Sequence, residues 1–326
     1  MMKTGFAGEL RCIVKKKDGT TVQDTGYQKN MFLNTGLDFF GGGHGDDIFA
    51  HCVIGAGDDA PEATQDKLVS FVAKNNSIEA DDRGSEPYLS GDEEFKVWRS
   101  STYRFEGISG ESISEVGLAS EFTSEDEYHL CTRALIKSAE GEPITIILKQ
   151  DEVLEITYRI WQVFDLSDKD FSIKITDDIG GEKLYNARCR LSGIGDEGAY
   201  YEYKAGMAFA EDTEYSSETY NGFYSYAGDI GEVTGVPSIN MGEAASVTLS
   251  DYEEGSYTRD MSIFFGLDDA RFPVRSVLVP TTMGNYQIQY GSQQSDDPIP
   301  KSKNDTLTVP IRFTWSRYEG DLNVTE

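Results

Sequence analysis

Apolar and polar positions alternate with a period of two over much of this chain. From Leu154 onward, Leu154, Ile156, Tyr158 and Ile160 fall on one face, and Glu155, Thr157, Arg159 and Trp161 on the other. That period predicts a strand with one face in a core. Upstream, Ile113–Leu118 and Thr132–Ile136 are further apolar runs separated by polar, turn-rich spacers, as in short antiparallel strands. Leu10 to Val14 reads as another strand. The Lys15-Lys16-Lys17-Asp18-Gly19 segment after it predicts a hairpin, with Thr20-Thr21-Val22 returning. The lysines then form a solvated tip.

Two stretches depart from this period. Met31 to Phe40 reads as a short helix, ended by the glycines of a flexible Gly41–Asp47 loop. Pro61 to Lys74 predicts the best helix of the chain, with Pro61 in its first turn and Leu68, Phe71 and Val72 as an apolar stripe. Phe49 to Ile54 between them reads as a strand. Polar, acidic Asn75–Glu94 predicts an exposed loop before strands at Phe95–Trp98 and Thr102–Phe105.

The second half echoes the first. Asp305–Phe313 repeats the pattern of Glu152–Ile160, and Leu154 and Arg159 match Leu307 and Arg312 at one offset. Pro143-Ile144 matches Pro298-Ile299, Arg133–Ile136 matches Arg275–Leu278, Gly117-Leu118 matches Gly266-Leu267, and Leu10–Cys12 matches Ala187–Cys189. The common order points to a diverged tandem duplication. The expected fold is mainly β, with two β-sandwich-like domains (1–168 and 169–326) and a few short helices. The Tyr-rich region Tyr200–Tyr226 reads as an exposed insertion or as strands with tyrosines outward.

Composition sharpens this picture. The 326 residues include 18 Tyr and 17 Phe, and aromatics that carry so much of the apolar surface favour strands. The net charge of −28, from 57 acidic and 29 basic side chains, repels phosphate and argues against nucleic acid as a partner. Cys12, Cys52, Cys131 and Cys189 form no CxxC pair and read as free thiols in or near the core. Met1–Gly5 leads into a strand-like run without an apolar leader, and no segment approaches the ~18 apolar residues of a membrane span.

Candidate chemistry is sparse. Gly55-Ala56-Gly57-Asp58-Asp59-Ala60 fits G-x-G-x-x-A between a predicted strand and a predicted helix. Asp58 and Asp59 would repel a pyrophosphate but would cap that helix well, and the βαβ alternation of a dinucleotide fold is missing. His51-Cys52, His129-x-Cys131 and His44 near Asp46 and Asp47 do not reproduce a zinc spacing. Asp/Gly turns such as Gly45–Asp47 and Asp177-Asp178 lack the EF-hand pattern and read as solvated turns. No nucleophile elbow or Cys/His pair stands in a recognisable setting, and 57 acids make any carboxylate pair uninformative. No catalytic, cofactor-binding or metal-binding residue is therefore assigned.

One resemblance adds to this reading. Asn30-Met31-Phe32-Leu33 precedes the glycine-ended helix, followed by Val53-Ile54-Gly55-Ala56-Gly57, Ala60-Pro61-Glu62-Ala63-Thr64 and Leu68. Then come Ile113-Ser114-Glu115-Val116-Gly117-Leu118, Arg133-Ala134-Leu135 and the alternating strand to Phe164. This order resembles a block of tailed-bacteriophage tail and fibre proteins, and it covers about half the chain. The resemblance implies a non-enzymatic virion structural protein of the tail, neck or fibre attachment, made in the host cytoplasm. Its partners would be other virion proteins and copies of itself, with neither membrane nor nucleic acid, and it would need no cofactor. The alternatives are a capsid decoration protein, a host-receptor module whose exposed Tyr and Trp in the second half stack on surface glycan, and a polysaccharide hydrolase. Expected contact regions are the Gly41–Asp47 loop and the Tyr200–Tyr226 insertion. The second half departs from the block, since Pro310 lies inside its last strand and confines that segment to an edge or a bulge.

Overall fold

The computed structural model describes residues 2–42, 45–176, 181–194, 223–244, 246–281 and 283–322. The chain begins with β1 (Met2–Lys16), β2 (Thr21–Asp24), β3 (Gln28–Phe32), helix α1 (Asn34–Gly42) and a 3-10 turn (Gly45–Phe49). There follow β4 (His51–Gly55), β5 (Phe71–Asn75), β6 (Ile78–Ser85), β7 (Glu94–Phe105), β8 (Ser112–Ile113) and β9 (Glu115–Ser124). Next are β10 (Glu127–Leu130), β11 (Thr132–Leu135), β12 (Ile146–Ile147) and β13 (Glu152–Asp165). The second half adds β14 (Lys169–Thr176), β15 (Glu182–Leu191), β16 (Tyr224–Tyr226), β17 (Asn240–Glu243) and β18 (Ser246–Leu249). It ends with β19 (Thr258–Phe265), β20 (Ser276–Thr281), β21 (Gly284–Ser292) and β22 (Leu307–Arg317). The fold is mainly β, as expected, with β-sandwich-like layers.

Long β1 organises the first half. It runs antiparallel to β13 over its length, from Thr4↔Phe164 to Lys16↔Glu152. Its other edge is shared by β22, β3 and β2. The order β6-β7-β13-β1-β3-β11-β9-β4-β5 forms one curled sheet. Asn76 and Ser77 carry β5 directly into β6, and the Asn75 side-chain amide donates to the Arg104 carbonyl of β7 at 2.6 Å, which brings the two ends together.

Inside lie Leu154, Ile156, Tyr158 and Ile160, the inward face read from the sequence, all fully buried. Helix α1 covers one opening, where Phe40 stacks on Phe6 with ring centroids 3.8 Å apart. Gly36 makes this approach possible, because a Cβ there would lie 2.3 Å from the Cys131 carbonyl oxygen. The Asp18-Gly19 hairpin also forms, with Gly19 at φ +90° and its N–H donating to the Lys16 carbonyl.

In the second half, the order β14-β15-β21-β20-β16-β17 makes a six-stranded sheet. Strands β18, β19 and β22 instead extend the first sheet, since β22 pairs in parallel with the start of β1, Met2↔Phe313 to Phe6↔Arg317. The two layers meet through apolar side chains such as Tyr286 and Phe313, whose centroids are 6.0 Å apart. Buried residues of both halves join one contiguous cluster. Of the strands matched in sequence, β13 and β22 flank β1 on opposite sides, while β15, matched to β1, pairs with β14 and β21. At Pro310, β22 pairs with β19, and its pairing with β1 begins only at Phe313.

Four expectations are corrected. Pro61–Lys74 forms no helix: the chain is irregular to Ser70 and then enters β5. Its apolar residues serve two cores, Leu68 and Phe71 packing with Leu33, Val53 and Tyr128, and Val72 with the main core. Asn75–Glu94 is not all loop, because polar, exposed Ile78–Ser85 pairs with β7 as a strand. Phe95–Trp98 and Thr102–Phe105 are one strand, not two. A single α-helix and one 3-10 turn stand in place of several helices among the described residues.

Candidate functional site

The motif segments singled out in the sequence converge on one buried ion pair. Strand β9 begins with Glu115, β11 carries Arg133, and both side chains are 0 % exposed. Arg133 Nε donates to Glu115 Oε2 at 2.8 Å, and Nη2 lies 2.8 Å from the same oxygen. The carboxylate also accepts backbone N–H groups: Oε1 from Gly57 (3.0 Å) and Ser70 (2.8 Å), Oε2 from Val69 (3.2 Å). Arg133 Nη1 reaches Gln65 Oε1 at 3.0 Å, and that oxygen also accepts the Glu62 N–H. A buried charge of either sign is tolerable only when it is paired and hydrogen-bonded in this way.

The Gly-x-Gly turn exists to admit that carboxylate. A Cβ on Gly55 would sit 2.4 Å from the Ser70 carbonyl oxygen and 2.5 Å from Glu115 Oε1, and one on Gly57 would sit 2.5 Å from the same Oε1. Ser114 closes the turn, its N–H donating to the Gly55 carbonyl and its hydroxyl to that of Gly57. The amide of Gly57, which a phosphate would need, is thus occupied by an anion of the protein itself. Asp58 and Asp59 are exposed and cap no helix. The chemistry of this cluster is to fasten the 56–70 segment across the strand ends.

The other sequence candidates do not gather around it. All four cysteines are free and buried. Burial pushes the Cys12 and Cys189 thiols up to about 12, and Cys52 and Cys131 also upward. His51 is half-buried and its pKa is lowered by burial and then by Lys74. His129 is exposed, 3.4 Å from Glu121. No three His, Cys, Asp or Glu side chains gather as metal ligands among the described residues. His44, Asp177-Asp178 and most of Tyr200–Tyr226 lie outside the described residues. Gly41 and Gly42 belong to α1, where Gly41 is pressed against the rings of Tyr252 and Trp315.

A second polar cluster escaped the sequence reading. On the outer face of β13, the Arg159 guanidinium lies 4.3 Å from the Tyr27 ring centroid and 4.6 Å from that of Trp98. Beside it Trp161 Nε1 donates to Glu9 Oε2 at 2.8 Å. Burial raises the Glu9 carboxyl, an effect opposed by that hydrogen bond and by Arg159 and Lys29. The C-terminal segment straps this face: Leu322 packs with Ala7, Trp161 and Val163, while Lys29 and Lys96 donate to the carbonyls of Gly320 and Asp321. Trp161, placed by the sequence on the face of this strand away from Leu154 and Ile156, is therefore buried as well. The available signal was the placement of Arg159 and Trp161 on one face of β13.

Two of the open grooves among the described residues border the strands described above. One of about 600 Å³ runs between β3, β11 and the strap, lined by Asn30, Pro61, Lys137 and Tyr318 among others. The other, about 490 Å³, lies on the outer face of the six-stranded sheet. Its carboxylates are already paired, Asp170 with Arg188 (2.8 Å) and Asp296 with Arg275 (3.0 Å), and each arginine holds its partner below the usual carboxylate range. No helix among the described residues is long and apolar enough to cross a membrane. In comparisons with protein-family models, curated proteins and solved structures, nothing matches this chain.

Proposed function

We propose that this chain is a non-enzymatic structural component of a tailed-phage virion, acting through contacts with other virion proteins and copies of itself. One observation carries the reading. The residues that resemble phage tail and fibre proteins, namely the Gly55-Ala56-Gly57 turn, the segment after Pro61, Glu115 and Arg133, meet in a single internal fastening. Such a motif specifies a rigid β scaffold, and a scaffold is what an assembly protein must supply. The acidic surface supports the reading by limiting non-specific association of unassembled copies and keeping them away from DNA. Tail, neck or fibre attachment is the proposed address, and capsid decoration is the nearest alternative.

The test is biochemical. Particles from lysates of the encoding phage are banded, stripped of loosely bound protein by salt, and analysed by mass spectrometry. The chain should remain with the particles in fixed stoichiometry, and particles made without its gene should lack a defined part or fail to mature. A chain found only in the soluble lysate, with normal particles formed in its absence, would refute the proposal.

A further inference from the structure

The six-stranded sheet ends in an unusual edge. Strand β14 pairs only with β15 among the described residues, over eight positions from Lys169↔Cys189 to Thr176↔Glu182 without a bulge. An open edge of this kind is a template for another strand, and proteins commonly guard it by shortness, bulges or repelling charge. Several other edges among the described residues are guarded. Strands β17 and β18 have four residues each, and β6 carries a register break after Ile78 and the adjacent acids Asp81 and Asp82. Strand β14 has neither device, and its charges are of both signs.

Those charges select a partner. Asp170, Ser172, Lys174 and Thr176 face outward, while Phe171, Ile173 and Ile175 turn inward and pack against the core. A two-fold axis normal to the sheet would join two β14 edges as an antiparallel pair and keep each face on its own side. Residues of like parity must then meet, so the fullest overlaps are centred on Ser172 or on Ile173. Centring on Ile173 sets Asp170 opposite Thr176 and Lys174 opposite Ser172. Centring on Ser172 sets Asp170 opposite Lys174 twice, and Phe171 opposite Ile173 twice, both favourable cross-strand pairs.

The neighbouring strand strengthens that choice. Arg188 of β15 pairs with Asp170 at 2.8 Å, and Glu182 pairs with Lys174 at 2.7 Å. In the Ser172 register, Arg188 and Asp170 of one copy continue into Lys174 and Glu182 of the second, a row of strictly alternating sign. We propose that β14 is a self-association edge, joining two copies of this chain into a continuous twelve-stranded sheet with Ser172 on the two-fold axis. This inference stands on the edge geometry and does not depend on the virion reading.

The test uses the full chain at about 100 µM, because an interface of one strand edge is small and its affinity modest. Sedimentation should show a monomer–dimer equilibrium. The D170K and K174D variants each place like charges opposite one another twice and should weaken the dimer roughly tenfold or more. The D170K/K174D double variant restores opposite signs and should recover most of that loss. Altered contacts to Arg188 and Glu182 are present in monomer and dimer alike, so to first order they drop out of the dissociation constant. Under mild oxidation S172C should give a disulfide-linked dimer, since the four native cysteines are buried. The inference is overturned by a chain that stays monomeric, by a dimer indifferent to the charge reversals, or by S172C dimers that do not cross-link. A β14 edge that binds another protein but not its own copy overturns it equally.

Discussion

Replacing Glu115 by Gln probes the fastening that the motif residues build. The substitution keeps the size of the side chain and one carbonyl oxygen, which can still accept the Gly57 and Ser70 N–H groups. It replaces Oε2, now 2.8 Å from Arg133 Nε and 3.2 Å from the Val69 N–H, with an NH2 group that can only donate. Two donors then face a donor, and the Arg133 guanidinium stays in a site of 0 % exposure without its counter-charge. Removing one partner of a buried pair costs about 3–5 kcal/mol, and an orphaned buried N–H costs about 1–3 kcal/mol. Since the 56–70 segment can shift to relieve part of this, the expected loss is about 3–5 kcal/mol, a large fraction of a typical total. Urea unfolding followed by tryptophan fluorescence should show the midpoint fall at unchanged slope. Hydrogen exchange should accelerate at Gly57, Val69 and Ser70. The double variant E115Q/R133M removes the stranded charge and should be more stable than E115Q alone. If E115Q lost under 1 kcal/mol with those amides still protected, the carboxylate would not be what holds the segment.

Three further predictions follow from the same geometry. Gly57→Ala forces a Cβ to 2.5 Å from Glu115 Oε1 and should cost about 2 kcal/mol or more, whereas Gly19→Ala, in open space at φ +90°, should cost only about 1 kcal/mol; equal losses in urea melts would contradict the close-contact argument. Because the folded Glu9 carboxyl is raised above its ordinary 4.5, its contribution is fully present below that value and is lost as pH rises through the folded pKa. Glu9→Gln should therefore gain stability relative to the parent as pH climbs from 4 to 8, and parallel stability curves would sink this account. Native protein should resist thiol labelling at neutral pH until unfolded, since all four cysteines are buried and hard to ionise; fast modification of any of them would show that its site opens.

How much could be read in advance depended on whether a segment served one core or two. Strand β13 was legible because Leu154 to Ile160 bury one face, while Glu155, Thr157 and Arg159 stay half-exposed. The Asp18-Gly19 turn was legible from local chemistry, and so was the presence of α1, although Met31 and Phe32 end β3 and the helix runs on through Gly41 and Gly42. Pro61–Lys74 misled because Leu68, Phe71 and Val72 have helical spacing, yet their partners lie in separate clusters on opposite sides of β5. Strand β6 gave no signal, since a strand at the margin of a sheet with an exposed, acidic face carries no apolar alternation. At the fastening, Gly55 and Gly57 were noticed but read as a tight turn before a capped helix. Glu115 falls in step with Ile113 and Gly117, and a charged residue at such an inward position marks a buried pair. Its partner Arg133 is 18 residues away, a distance that no local pattern spans.

The virion reading meets its most direct test in imaging of the intact particle of the encoding phage. The account predicts density at the tail, neck or fibre attachment into which the curled sheet and the six-stranded sheet fit as one body, repeated by the symmetry of that site. Particles with every density assigned to other chains, and none fitting this fold, would contradict it.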